Sequence, residues 1–270
     1  MSQAERSWGN RMLIDVHAHL TEDCFQDIDH VMAEIAKAGV GAVICSGYDM
    51  PSSYAAMRLS EQFESVYFCA GYQPQELGKY VDGDMDKLRQ LVRHEKCVAV
   101  GEIGLDYHYE NNPPKAVQKE LFEAQIHLAD EEGLPIVIHS RDCANDTLTM
   151  LRENSDKLRH GGLLHCYSYS ADMVGLFESL GMYFSFGGTS TYKNANKVKK
   201  SACAVSDERI LTETDSPYLT PVPFRGTFPN TPAYIPYIAR NLVALRGEEE
   251  AAFVRQVFQN ARRLFSKMRI

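Results

Sequence analysis

Short apolar runs alternate along this chain with stretches whose apolar positions recur every three or four residues. The runs are MLIDVHAHL at about 12–20, AVICSG, VYFCAGY at 66–72, CVAVGEIGL, PIVIHS, GLLHCY, MYFSFGG and ILTETDS. Most are continuously apolar rather than alternating, which is the pattern of strands covered on both faces. Between them, Ile28, Val31, Met32 and Ile35 repeat at helical spacing, as do Met85, Leu88, Leu91 and Val92. Val117, Leu121, Ala124 and Leu128 mark a longer helix, announced by Pro113–Pro114 and ended by Gly133 and Pro135. Further helices are expected over 52–63, 142–153, 171–180 and, rich in lysine, 193–204. A long loop from Pro217 to Pro232 leads to two closing helices, the last lined by Val254, Val257, Phe258, Ala261 and Leu264.

Eight strand–helix units fill a chain of 270 residues. They predict an α/β fold, a single-domain (β/α)8 TIM barrel over 12–270 with an extra C-terminal helix. Residues 1–11 are polar and read as an N-terminal extension. An open doubly wound sheet would alternate strands and helices in the same way, so the choice rests on the chemistry at the strand ends.

Six potential metal ligands fall there: His17, His19, Glu102, His139, His165 and Asp215. Side chains two apart on a strand share a face, so His17 and His19 can reach one ion together. The other four come from different strands, and a closed parallel barrel brings such ends to one mouth. The remaining histidines, His30, His94, His108, His127 and His160, lie on expected helices or in loops.

Four histidines and two carboxylates exceed the needs of one tetrahedral ion. They suit two divalent ions, Zn, Mn or Mg, bridged by one carboxylate. Glu102, from the middle of the strand series, is the expected bridge. His17, His19 and Asp215 complete one ion, and His139 and His165 the other. Such a pair lowers the pKa of bound water and neutralises charge on a phosphoryl oxygen. Asp215 is the expected acceptor of the nucleophile's proton, which makes Asp215 and Glu102 the catalytic carboxylates. Asp15 and Glu213, two residues before His17 and Asp215, read either as their partners or as polar groups inside the barrel.

An anionic substrate is expected to meet Arg141, Arg225 and a lysine group of Lys193, Lys197, Lys199 and Lys200 beside Tyr192. The lysines also fit a solvated helix face, with Lys193 placed where a loop over the mouth should begin. No G-x-G-x-x-G after a strand and no P-loop pattern occur, so no nucleotide cofactor is expected.

The formal net charge of −8 argues against an extended grip on duplex DNA, though not against a local cation-rich site for a phosphodiester. Seven cysteines without C-x-x-C spacing, four of them in apolar runs, suit a reducing compartment. With no stretch of about 20 apolar residues and no secretory pattern at the N-terminus, a cytoplasmic protein without a membrane partner is expected.

IDVHAHL, VGEIGLDY (Val100 to Tyr107), IHSRD, LLHCYS, YFSFGG and TETDSPYLTPVPFRG (Thr212 to Gly226) together resemble the TatD family of metal-dependent deoxyribonucleases, among the amidohydrolase-type barrels. The resemblance runs from about Leu13 to Phe265. It implies a TIM-type barrel, a divalent metal pair and hydrolysis of phosphodiester bonds in DNA, often from the 3′ end. The same six residues are the ligands it implies. Three positions depart from the family pattern. Gln73 stands in Gly71-Tyr72-Gln73-Pro74 where the family usually has histidine, Phe224 replaces another histidine, and Thr231 replaces a glutamate. Gln73 can position a phosphate but cannot protonate one.

Two other functions fit the residues. One is a related barrel hydrolase for an uncharged ester, lactone or amide. Against it stand Arg141, Lys193 and Arg225, together with Glu102 where some relatives place a carbamylated lysine. The other is a metal-stabilised binding protein without catalysis.

Overall fold

In the computed structural model, which describes residues 13–270, eight strands form one parallel sheet in the order β1 to β8. They are β1 (Leu13–Ala18), β2 (Val40–Ser46), β3 (Val66–Ala70), β4 (Cys97–Asp106), β5 (Ile136–Arg141), β6 (Gly162–Leu164), β7 (Met182–Phe186) and β8 (Ile210–Thr212). The helices are α1 (Ile28–Lys37), α2 (Met50–Gln62), α3 (Asp84–Val92), α4 (Lys115–Glu132), α5 (Ala144–Glu153), α6 (Val174–Glu178), α7 (Asn196–Ala204), α8 (Ile235–Arg246) and α9 (Glu250–Leu264). The expected (β/α)8 barrel is the observed fold, and the proposed extension over 1–11 lies outside the described residues.

Every residue of β1, β3, β4, β6, β7 and β8 is buried, as strands require when helices cover one face and the barrel interior the other. The last strand meets the first through specific groups. Thr212 Oγ1 donates to Ile14 O at 2.8 Å, Asp215 N to His17 O at 2.9 Å, and His19 N to Ser216 O at 2.7 Å. Buried Asp15 fastens the same seam: one oxygen accepts from Thr214 N at 3.0 Å and from His17 N at 3.2 Å, and the other accepts from the Thr214 hydroxyl. Helix α9 packs on β1 and β8 with Phe253, Val254, Val257, Ala261 and Leu264 buried, closing the barrel from outside.

Several element ends differ from the sequence expectation for local reasons. Helix α5 starts at Ala144 rather than 142 because Asp142 takes a left-handed φ of 56°. The expected 171–180 helix is a 3₁₀ turn at 171–173 running into the five-residue α6. Lys193 precedes α7 in a loop instead of opening that helix. Strands β6 and β8 are only three residues long, so His165 and Asp215 lie just beyond them.

One glycine sets the geometry below the mouth. Gly104, at φ 137°, pairs with His139 across β4 and β5, and a Cβ there would stand 2.0 Å from the His139 carbonyl oxygen. Only a residue without a side chain lets the two strands approach this closely.

Candidate metal centre

The centre draws on five strands: His17 and His19 at the end of β1, Glu102 and His139 within β4 and β5, and His165 and Asp215 just past β6 and β8. His17 is the penultimate residue of β1, His19 follows the strand's end, and both contact Ser46 at the end of β2. Ser46 Oγ lies 3.0 Å from His17 Nδ1, and the Ser46 carbonyl oxygen accepts from His19 Nδ1 at 3.0 Å. With Nδ1 engaged on each ring, both Nε2 atoms face the mouth, 3.3 Å apart.

The remaining donor atoms fall into two groups that share one side chain. Glu102 Oε2 is 3.5 Å from His17 Nε2 and 3.7 Å from His19 Nε2. Asp215 Oδ1 is 3.8 and 3.4 Å from the same two nitrogens. On the other side, Glu102 Oε1 is 2.9 Å from His139 Nδ1 and 3.1 Å from His165 Nε2, which are themselves 3.4 Å apart. Around an ion with ligand bonds of about 2.0–2.2 Å, tetrahedral neighbours stand roughly 3.3–3.6 Å apart. Most of these separations are near that spacing, although the hydrogen bonds of Glu102 Oε1 are shorter. His17, His19 and Glu102 form one group that could hold a metal ion, and Glu102, His139 and His165 another.

A second observation supports the fit. Glu102 Oε2 is buried with no hydrogen-bond donor, as are His165 Nδ1 and Glu213 Oε1. A buried carboxylate oxygen without a partner is costly, and a cation between it and the two Nε2 atoms would remove the cost.

Buried carboxylates and imidazoles set one another's charge in this cluster. Burial opposes the charged form of Glu102, but His165, His139 and His17 outweigh it and hold its carboxyl well below the usual range. His19 and His139 are also penalised by burial. Even so, Asp215 with Glu102 raises the first to about 9, and Asp106 with Glu102 raises the second to about 10. Burial and the stacked ring of His165, 3.9 Å away, push His17 down to about 4. Burial pushes Glu213 up to about 7 despite nearby His165.

Asp106 was not singled out from the sequence. Its Oδ2 lies 3.0 Å from His139 Nε2 and accepts from Gln75 Nε2 at 2.7 Å, leaving His139 Nδ1 to face Glu102. A signal was available, since Asp106 is four residues after Glu102 on β4 and period-two alternation puts both on one face. Ser46, likewise unmarked, orients two rings from a strand of its own. Asp15 holds backbone beside His17 rather than its ring, while Glu213 Oε2 lies 3.9 Å from His165 Nδ1.

Of the expected substrate contacts, Gln73 and Arg141 line a cavity of about 450 Å³ over the centre. Arg141 Nη1 donates to the Tyr109 hydroxyl at 3.1 Å, with the guanidinium 5.0 Å from that ring's centroid. Lys193 is exposed and Arg225 lies 4.1 Å over the Tyr192 ring, and neither lines this cavity. No helix among the described residues is long and apolar enough to cross a membrane.

Comparison with known proteins agrees with this architecture. A family model described as TatD related DNase matches residues 14–266. An uncharacterized metal-dependent hydrolase, YabD of Bacillus subtilis, is 38% identical over 94% of this chain and 99% of its own length. The 3′-5′ ssDNA/RNA exonuclease TatD of Klebsiella pneumoniae is 31% identical over 94% of this chain and 97% of its own. The crystal structure of YjjV, a TatD homologue from Escherichia coli, superposes with a TM-score of 0.89 at 29% identity, covering 94% of this chain and 98% of that one. Barrel, ligand cluster and sequence likeness thus converge, and the chain belongs to the TatD related DNase family of metal-dependent hydrolases.

Proposed function

We propose that the protein hydrolyses phosphodiester bonds at the 3′ ends of DNA, in the cytoplasm, with two divalent ions (Zn, Mn or Mg). The observation that carries this reading is the division of Glu102 between two histidine pairs, one oxygen toward His17 and His19 and the other toward His139 and His165. When bound, such a pair supplies Lewis acidity at a phosphoryl oxygen and a water of lowered pKa.

The chain's own residues complete the chemistry. Asp215 is kept ionised against its burial by His19, His165 and His17, so its carboxylate can accept a proton from the attacking water. The water oxygen bonds to phosphorus, the P–O3′ bond breaks, and the departing 3′ oxygen takes its proton from solvent, because Gln73 has none to give. Arg141 at the cavity wall offers its guanidinium to the phosphate. The Klebsiella relative, a 3′-5′ ssDNA/RNA exonuclease, supports the same substrate class.

The test is cleavage of a 3′-labelled single-stranded oligonucleotide by metal-stripped protein reconstituted with Mg, Mn or Zn. His139→Ala and Asp215→Asn should abolish cleavage while circular dichroism shows the barrel intact. Full metal-dependent activity in both variants would refute the reading, as would hydrolysis of simple lactones faster than any phosphodiester.

A further inference from the structure

The mouth of the barrel holds two chambers. The 450 Å³ cavity meets a second one of about 320 Å³, and the two share His139, Arg141, His165, Asp215 and Leu219 as a common wall. The ligand cluster therefore sits between two spaces, each within the size range of small-molecule sites.

The chambers differ in chemistry. Tyr48, Tyr109 and Tyr218 line the first, with Glu22 and Glu76 beside them. Tyr109 and Tyr218 are 45% and 50% exposed, so ring surface is available to a planar ligand. Besides Arg141 in the shared wall, Lys79 is the cation of this chamber, and it is already paired with Asp49 at 2.8 Å and Glu76 at 2.6 Å. The second chamber is lined by Cys166, Ser168, Thr189 and Val198, with no acidic group besides the shared Asp215.

Leu219 in the shared wall is held in a strained backbone. Its φ of 58° is left-handed, which is rare for a bulky residue. Such a conformation persists only where the surroundings impose it. Here its carbonyl oxygen takes the space of a Cβ on Gly188, 1.8 Å away, so only glycine fits opposite. Asn230 Nδ2 donates to Tyr218 O at 2.5 Å and the Tyr192 hydroxyl to Thr220 O at 3.0 Å, fixing the chain on both sides of Leu219.

We infer that Leu219 divides the mouth into two subsites, and that the tyrosine-lined chamber takes one terminal nucleotide bearing a free 3′-hydroxyl. The inference rests on the phosphodiesterase reading and adds specificity to it. A base stacks on Tyr109 and Tyr218. Glu22, with no cation beside it among the described residues, and the Asp49–Lys79–Glu76 group, which carries a net negative charge, repel any further phosphate, so the strand cannot continue through that side. The rest of the strand leaves through the second chamber.

The test uses metal-loaded full-length protein and three short oligonucleotides, ending in a 3′-hydroxyl nucleotide, a 3′-phosphate nucleotide, or a 3′-abasic sugar. The 3′-hydroxyl end should be cleaved at least about tenfold faster than the 3′-phosphate end, and Glu22→Gln with Glu76→Gln should narrow that ratio. Tyr109→Ala and Tyr218→Ala should each raise KM roughly 5- to 100-fold on the base-bearing end and leave the abasic end unaffected. Leu219→Gly, which tolerates the same φ, should release dinucleotides where the native chain releases mononucleotides. Equal cleavage of the hydroxyl and phosphate ends, or equal losses on the base-bearing and abasic ends, would overturn the assignment. If the native protein cleaves no phosphodiester, the functional reading fails and the subsite is tested by calorimetric titration with thymidine 5′-monophosphate. Binding weakened 5- to 100-fold by Tyr109→Ala would support the subsite. Absent binding, or binding that both tyrosine variants leave unchanged, would reject it.

Discussion

His139 and Asp106 form a fixed pair: Nε2 of the ring lies 3.0 Å from Oδ2 of the carboxylate, and the opposite nitrogen, Nδ1, faces Glu102 at 2.9 Å. Asp106 is itself held by Gln75 Nε2 and by the backbone N–H of His108 at 2.8 Å. These contacts set the ring's orientation toward the centre. Removing the carboxylate should lower metal affinity about 10- to 100-fold, the usual effect of losing a carboxylate behind a histidine ligand. Calorimetric titration of metal-stripped Asp106→Ala with Zn or Mn should show this loss, with Gln75→Ala smaller in the same direction. Unchanged affinity in Asp106→Ala would mean that packing alone orients the ring.

The seam between β1 and β8 depends on Asp15 more than on a continuous ladder. Its carboxyl accepts from two backbone N–H groups and one hydroxyl, all buried. Asp15→Ala removes the acceptor of the two backbone N–H groups, at about 1–3 kcal/mol for each left unsatisfied, while the Thr214 hydroxyl keeps Ser216 Oγ at 2.6 Å. Urea unfolding at neutral pH should show a loss of several kcal/mol, and metal affinity should fall as well, because the strand end carrying Asp215 is no longer pinned beside His17. A loss below about 1 kcal/mol would show that water replaces the carboxyl at no great cost.

The six candidate ligands were legible because histidine and carboxylate at the ends of apolar runs are a pattern within the chain itself. Their geometry was less so. His165 and Asp215 read as strand residues, yet both follow strands of only three residues, and Asp215 reaches the centre through a left-handed φ of 55° and a backbone bond to His17. The groups that orient the rings were hidden for another reason. Ser46 and Asp106 lie 29 and 33 residues from the histidines they hold, and only strand register brings them together. Arg225 and Lys193 were named from charge near a motif, and the structure puts Arg225 over the Tyr192 ring and Lys193 in an exposed loop, neither lining the main cavity.

Away from the centre, Asp84 gives the fold a pH dependence of known sign. It is buried and accepts from the Tyr72 hydroxyl at 2.5 Å, from Lys87 Nζ at 2.9 Å and from Val81 N at 3.2 Å. Burial disfavours its charge, but these donors prevail and hold its carboxyl below the ordinary aspartate value. A carboxyl depressed in the folded state stabilises above its unfolded pKa of about 3.9, and that contribution fades as pH falls through the folded value. Asp84→Asn should therefore cost about 1–3 kcal/mol at pH 7 and much less near pH 3, measured by urea midpoints at both. An equal cost at both pH values would assign the effect to shape rather than charge.

Gln73 stands where the family pattern that the sequence resembles usually has histidine. It follows β3, where its backbone N–H donates to Tyr48 O at 3.0 Å, and its side chain lines the main cavity. An amide can hold a phosphate oxygen or a leaving group but cannot transfer a proton to it. Proton transfer matters most when the leaving oxygen is a strong base, as in a nucleotide's 3′-alkoxide, and least for p-nitrophenolate. Gln73→His should then raise kcat for a dinucleotide by about tenfold or more while leaving thymidine 5′-p-nitrophenyl phosphate nearly unchanged. It should also give the dinucleotide rate a falling alkaline limb as the new imidazolium loses its proton. Equal gains on both substrates would point to better positioning instead of acid catalysis. No gain on either would show that proton delivery to the leaving oxygen does not limit this enzyme, and that the glutamine is adequate for its substrate.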